Sequence, residues 1–467
     1  MKQLFAVSSL YQCLSLAAAI DAGRLPASGE RILVLANNAL LPELADPFHD
    51  SPGFAEAAAR FDRVVDLGGL LWPRRPGQFN PRADELGTWE KLLRSHWQLG
   101  DGPLRLWVES IQVNPAVALC RIFSTAAVCV HSDGLMSYGP TRNPLPLEIA
   151  QRLESLLYVD LVPGLVPQLL REHAPALLPV PAQALAAGMR SLARALPAAP
   201  GGGEGAGGGN DGGAALVLGQ YLAGLGILTA EEELDLHRGM LAQVAARGLR
   251  RCVFKPHPAA GPAAVSSLQA AAAGLGLRLT VLEDGTPAEV VMLRLQPALV
   301  LGAFSTALMT AKYLFGLEAA AAGTGMLLER LSPYQNSNRI PVTIIDAVLE
   351  RGYPAPAGQP VSAGPAGPGA GLQELVEAVS YCMQPETLQQ ARPAAEQFLA
   401  RAQGTAELRY FKRRRLASLQ LPGAGPQPVP AGVLQRLGRA RRTVRTVRSG
   451  LRAGAAAARG MIAAAGK

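Results

Sequence analysis

The sequence predicts an α/β protein in two parallel-sheet halves followed by a basic helical tail. Three observations carry this. Short apolar runs alternate with helical patterns through residues 1–196, the spacing of the strand–helix–strand units that build a parallel sheet. Residues 197–213 are mostly glycine, the composition of a flexible linker. The alternation then restarts over 214–405 and gives way to a basic segment at 406–467, read as partly disordered or as an amphipathic helix. At 467 residues and 49% hydrophobic, the chain exceeds one ordinary domain and has ample core material.

Taken in order, the opening Met1–Gln12 has the lone cation Lys2 and an apolar run. Ser8, Ser9, Tyr11 and Gln12 interrupt it too early for a secretion signal. It reads instead as a strand, Gln3–Val7, turning into a helix, Leu10–Asp21. Further strands are expected at Glu30–Ala36, Arg63–Leu67, Leu104–Val108 and Ala126–Val130, with helices at Gly53–Arg60 and Trp89–Trp97. Pro146–Tyr158 and Leu165–Ala174 read as a helical block closing this half. In the second half strands are expected at Ala215–Leu218, Arg251–Phe254, Leu277–Leu282, Pro297–Leu301 and near Glu318–Ala322. Helices are expected at Ala230–Ala246, Pro262–Gly274 and from Thr306, then at Val342–Leu349 and Leu372–Ala402 around a Pro/Gly/Ala-rich loop.

The net charge of +8 belongs to the tail. Of 44 Lys and Arg, fourteen lie in residues 408–467 with no acid, which leaves 30 against 36 acids and a body at −6. In the tail, Val433, Leu437, Ala440, Val444, Val447 and Leu451 recur at helical steps, with six arginines from Arg436 to Arg448 between them. That pattern suits an anionic membrane surface or an acidic partner. Nucleic acid is not expected, because the body is acidic and no aromatics interleave with the arginines. No run is long and apolar enough to span a membrane, so the expected location is cytoplasmic, peripheral at the inner membrane face. The five scattered cysteines form no metal-ligand spacing; buried thiols in a reducing compartment are expected, and no metal.

Chemistry concentrates at predicted strand ends, where open parallel sheets bind ligands. Val253–Pro258 is a strand ending in Lys255 and in His257 between two prolines. Leu301–Leu308 is another, whose Ser305 and Thr306 open a helix. A cation, a histidine and a hydroxyl-bearing helix start are what a phosphate needs. In the first half, Asp133-Gly134 sits among His131, Ser137, Tyr138 and Arg142, and Ser8, Ser9, Glu109, Ser110 and Gln112 follow two other strands. Asp-Gly alone is an ordinary turn; the polar cluster around it is more than a turn requires.

Asp133-Gly134, His257-Pro258 and Ser305-Thr306 occur in the order found in bacterial sialyltransferases. With the stretches Leu4–Leu14, Ser132–Arg142, Leu218–Glu233, Phe254–Pro258, Phe304–Ala307 and Leu331–Pro341, the chain resembles the alpha-2,8-polysialyltransferase family from residue 1 to about 350. The resemblance implies a GT-B fold, two Rossmann-like domains facing across a cleft. It implies an inverting, metal-independent glycosyltransferase using CMP-sialic acid or a related CMP-nonulosonic acid and a glycan acceptor. It carries Asp133 over as the general base and His257 as the group that contacts CMP and assists the departing phosphate. Ser305 and Thr306 carry over as phosphate-binding hydroxyls. Lys255, Pro258, Gly219 and Gln220 complete the nucleotide-side candidates. Ser9, Glu109, Gln112, Tyr138, Arg142, Asn338 and Arg339 are those on the acceptor side. The family has a pair of acids before the glycine, whereas here the first position is Ser132; Asp133 then acts alone, or Glu109 contributes, or the activity is weak. Glu283-Asp284-Gly285 lies in the wrong half and reads as a surface turn.

Two other readings remain open. One is a wall-polymer transferase using a CDP-linked polyol phosphate, which calls for more basic residues than Lys255 and Arg339. The other is a sugar-nucleotide binder without turnover.

Overall fold

The computed structural model describes residues 1–27, 29–37, 47–132, 134–196, 213–257, 263–282, 285–353 and 371–425. The chain divides into two compact units, Met1–Lys412 and Arg413–Lys467. In the second, the described residues carry a short helix, Arg413–Ser418; the amphipathic pattern expected at 433–451 lies outside the described residues.

The first unit contains both expected parallel sheets, one in each of two α/β halves. The seven strands of the first sheet are β1 Lys2–Val7, β2 Glu30–Leu35, β3 Arg63–Asp66, β4 Leu104–Val108, β5 Ala127–Ser132, β6 Leu153–Val159 and β7 Ala176–Val180. They lie in the order β3-β2-β1-β4-β5-β6-β7, all neighbours parallel. The second has β8 Ala214–Leu218, β9 Arg251–Lys255, β10 Arg278–Val281, β11 Leu299–Gly302 and β12 Ala319–Ala321, ordered β10-β9-β8-β11-β12.

Both faces of the first sheet are covered. Leu4, Ile32, Leu106 and Val130 pack on one side, and their strand neighbours Phe5, Leu33, Trp107 and Cys129 on the other. Doubly covered strands read as continuous apolar runs rather than alternating ones. The second cluster also takes in Val290 and Leu314, so the helix Ala288–Leu295 packs against the first-half helix Ala182–Ala195. All five cysteines are buried thiols, and burial pushes Cys13, Cys120 and Cys252 up to about 12.

The helical block expected at Pro146–Tyr158 and Leu165–Ala174 is corrected. Only Leu147–Ala150 is α-helical there; Leu153–Val159 is β6, and Arg171–His173 is a single 3-10 turn. The Leu-rich run of β6 lacks alternation because its last five residues are all buried. β7 is an edge strand, where Pro179 is tolerated. The opening residues form β1, an interior strand of the first sheet between β2 and β4.

Candidate functional site

In the second sheet, β8, β9 and β11 lie side by side, so their carboxyl ends bring Gly219-Gln220, Lys255–His257 and Phe304–Thr306 to one edge. Between β8 and β11 the chain changes its direction of travel across the sheet, the switch point at which such sheets bind ligands. That point is bridged, because Gln220 Oε1 accepts a 2.7 Å hydrogen bond from Phe304 N–H. Gly219 N–H donates to the Lys255 carbonyl at 2.8 Å, and a Cβ there would meet Phe254 Cζ at 2.9 Å and Pro256 Cα at 3.1 Å. Only glycine allows the two strand ends so close. Ser305 Oγ accepts from Ala307 N–H at 3.3 Å, closing a tight turn just before the helix.

The His257 ring is exposed and stacks on Tyr221, with centroids 6.1 Å apart and planes 13° from parallel. The protein packed around it lowers its pKa, and the Glu233 carboxylate opposes that shift. An arriving phosphate would raise its proton affinity again. Lys255 is buried on the sheet beside Glu289, whose carboxyl is raised by burial and held back by the lysine's charge. Pro258 lies outside the described residues.

In the first sheet the switch point falls between β1 and β4. A crevice of about 390 Å³ including its open mouth lies there, with Ser8, Gln12, Glu109, Ser110 and Asn114 among its lining. Ser9 caps the helix Leu10–Asp21, its Oγ accepting from Gln12 N–H at 3.3 Å, while Gln12 Oε1 accepts from Ser8 N–H at 2.7 Å. Ser110 Oγ donates to Glu109 Oε1. Gln112 accepts from Arg142 N–H and donates to the Asn143 carbonyl, fixing the turn that exposes the Arg142 side chain.

Asp133 itself lies outside the described residues; its neighbours on both sides do not. Gly134 has φ +78°, in the left-handed region, and a Cβ on it would lie 2.7 Å from Thr306 Oγ1. The same Thr306 oxygen accepts from Leu135 N–H at 3.3 Å. Gly134 and Leu135 of the first half thus rest directly on Thr306 of the second.

Two acceptor-side candidates are committed elsewhere. Tyr138 is fully buried, its hydroxyl accepting from Val162 N–H at 3.4 Å, and burial drives its pKa far upward. Arg339 is 1% exposed and donates to the carbonyls of Tyr334, Leu331 and Leu328, with its guanidinium 4.1 Å from the Tyr334 ring centre. Asn338 precedes the helix Arg339–Ile345, which packs against the Gly134–Tyr138 segment.

Three residues near these edges escaped the sequence reading as site candidates. Tyr221 and Glu233 lie beside His257, and nothing in their own spacing marks them. Asp160 follows β6 next to the end of β5, and burial raises its carboxyl. Its position at a strand end was hidden because β6 reads as helix.

The alpha-2,8-polysialyltransferase family model matches residues 3–324, well over half of the 467. The chain belongs to the alpha-2,8-polysialyltransferase family. It is a glycosyltransferase of that family, and Asp133, His257, Ser305 and Thr306 fall within the matched region, whereas Asn338 and Arg339 lie beyond it. Comparison with curated proteins gives no match. Among solved structures, the chain is similar to a UDP-GlcNAc 2-epimerase from Neisseria meningitidis bound to UDP-GlcNAc. Identity there is 10%, covering 69% of this chain and 82% of that one, with a TM-score of 0.42. It is also similar to the UDP-GlcNAc 2-epimerase of Methanocaldococcus jannaschii (12% identity, 69% and 83% covered, TM-score 0.40). An E. coli heptosyltransferase with ADP matches at 15% identity over 67% and 84% of the chains, TM-score 0.33.

Proposed function

We propose that this polysialyltransferase-family protein transfers sialic acid or a related nonulosonic acid from a CMP-sugar to a glycan acceptor, with inversion and without a metal. The observation that carries the reading is the join of Leu135 N–H to Thr306 Oγ1, with Gly134 packed on the same side chain. It supports a reaction centre in which Asp133, one residue from Gly134, takes the acceptor proton. Ser305, Thr306 and His257 then hold the leaving phosphate. Displacement at a sugar carbon needs both functions at one point, and seating them on opposite halves lets the halves exclude water between them.

Among the described residues, the two cations named for this reading are already engaged, Lys255 lying beside Glu289 and Arg339 spent on backbone carbonyls, which supports a donor with a single phosphate. A CDP-linked donor calls for more positive charge than these two leave available. The exposed Arg142 and the Glu109 crevice are the parts proposed to meet the acceptor glycan. The basic tail is proposed to hold the enzyme at an anionic membrane surface.

Calorimetric titration of CMP, CDP and UDP into the protein tests the donor. The expected result is CMP binding that His257→Ala abolishes and Asp133→Ala leaves intact, with transfer from CMP-sialic acid lost in both. Tighter binding of UDP, or no cytidine nucleotide bound, sinks the donor assignment. CMP binding without any turnover over a screen of acceptors leaves a binding protein instead.

A further inference from the structure

We propose that Glu233 is a positioning residue for the nucleotide site. It clamps the loop Gly219–Gly224 so that Tyr221 sets the plane of His257 and Gln220 sets the Phe304–Thr306 turn. The inference rests on the donor-site reading above and deepens it.

The loop leaves β8 and touches each of the other two strand ends. Through Gly219 it bonds to the end of β9, through Gln220 to the start of the hydroxyl turn, and through Tyr221 it lies against His257. A single loop therefore determines how the histidine and the hydroxyls stand relative to each other. Its own anchor is the Glu233 carboxylate. One oxygen accepts from Leu222 N–H at 2.8 Å and the other from Ala223 N–H at 3.0 Å, a charge-assisted pair stronger than neutral bonds.

Ordinary helix capping does not account for Glu233. The helix Ala230–Ala246 already has a complete capping box, Thr229 Oγ1 accepting from Glu232 N–H at 3.1 Å and Glu232 Oε2 from Thr229 N–H at 2.9 Å. Glu233, the next residue, turns to the loop instead. The ring it helps to hold is confined on a second side, because a Cβ on Gly224 would fall 1.9 Å from Tyr221 Cε1. Tyr221 thus packs against bare backbone as well as the imidazole, and any side chain at 224 would push it off that seat.

Four charged or titratable groups among the described residues bear on the histidine or its surroundings. Glu233 acts on it from the helix, and Tyr221 stacks on it from the loop. Lys255 precedes it on β9 but lies beside Glu289. His237, one turn along the helix from Glu233, packs edge-on against Phe254 at 5.2 Å.

The test follows the imidazole C–H signals of the six histidines by NMR from pH 5 to 8 without ligand, with His257→Ala for assignment, and then CMP affinity. Glu233→Gln removes the charge and weakens the clamp. It should lower the His257 midpoint by roughly half a unit and weaken CMP binding about tenfold. Tyr221→Leu keeps both clamp bonds, should weaken CMP binding by a similar factor, and decides the matter if Glu233→Gln does not fold. A capping or purely structural role predicts a lower melting temperature with the midpoint and affinity unchanged in the folded variants; that result overturns the proposal. If wild-type protein binds no CMP, the donor reading fails, and the His257 midpoint in the free protein still decides whether Glu233 and Tyr221 control it.

Discussion

The two sheets have topologically equivalent switch points that are built in opposite ways. At the switch point of the second sheet a side chain closes the gap, Gln220 to Phe304 N–H, and glycine draws two strand ends together. At that of the first sheet the gap stays open, and the crevice between β1 and β4 is walled by the polar Ser8, Gln12, Glu109, Ser110 and Asn114 together with apolar residues such as Val113 and Pro115. Asn114 Oδ1 is buried there without a hydrogen-bond partner among the described residues. A closed, prebonded edge suits one invariant group, such as a nucleotide phosphate, at little reorganisation cost. An open polar crevice suits an acceptor whose hydroxyls must be matched on arrival.

The join between the halves is where the comparison breaks most readily. Gly134→Ala puts a Cβ 2.7 Å from Thr306 Oγ1 at a φ of +78°. The left-handed conformation alone costs roughly 1–2 kcal/mol. Displacing the turn next to the proposed base should cut transfer on the order of a hundredfold, while CMP affinity, assigned by the proposal to the second edge, falls far less. Adding Thr306→Ala relieves the contact but not the backbone strain. In urea denaturation the double variant should therefore be more stable than the sum of the single losses predicts. Strict additivity would show that the two turns do not bear on each other.

The next effect separates the two edges by substrate. Gln220→Leu leaves Phe304 N–H without its acceptor and should weaken CMP binding about tenfold, with acceptor KM unchanged. Gln112→Leu frees the Arg142–Asn143 turn and should raise acceptor KM, with CMP affinity unchanged. Steady-state kinetics varying each substrate in turn reads both; a crossed result would mean that the halves do not divide the substrates as proposed.

The second edge was far more legible in sequence than the first. Its strands are short, end in proline, glycine or hydroxyls, and place their chemistry immediately after the apolar run. The first sheet hides two of its strands. β6 is buried at Ser155–Val159, so it has no alternation, and its leucines imitate a helix; with it went the strand-end position of Asp160. Tyr138 and Arg339 were misleading for a related reason. A polar side chain near a motif shows its type in the sequence, but whether it faces solvent or backbone carbonyls depends on segments far away, such as Val162 for the phenol. Glu233 and Tyr221 were invisible because their partners are made by the fold of the loop.

The smallest expected effect compares the buried histidines of the two halves. His131 in β5 is 3% exposed, its Nε2 2.8 Å from the Ala6 carbonyl, and burial lowers its pKa against weaker opposing effects of that hydrogen bond and, after it, of Glu109. His237 is 6% exposed and lowered for the same reason, with Glu233 opposing. In the unfolded chain both titrate near ~6.5. As pH falls below that value the unfolded state takes up the proton first, so each histidine withdraws stability between ~6.5 and its own lower folded value, by at most about 1.4 kcal/mol per pH unit. Above ~6.5 neither contributes a slope. His131→Gln and His237→Gln should each flatten the curve of unfolding free energy against pH between 7 and 5. Because Glu233 stands close to His237, Glu233→Gln should lower the His237 midpoint and leave that of His131 where it is. Equal movement of both midpoints would mean that the carboxylate's field crosses between the halves, and that the separation of the two edges is weaker than their hydrogen bonding suggests.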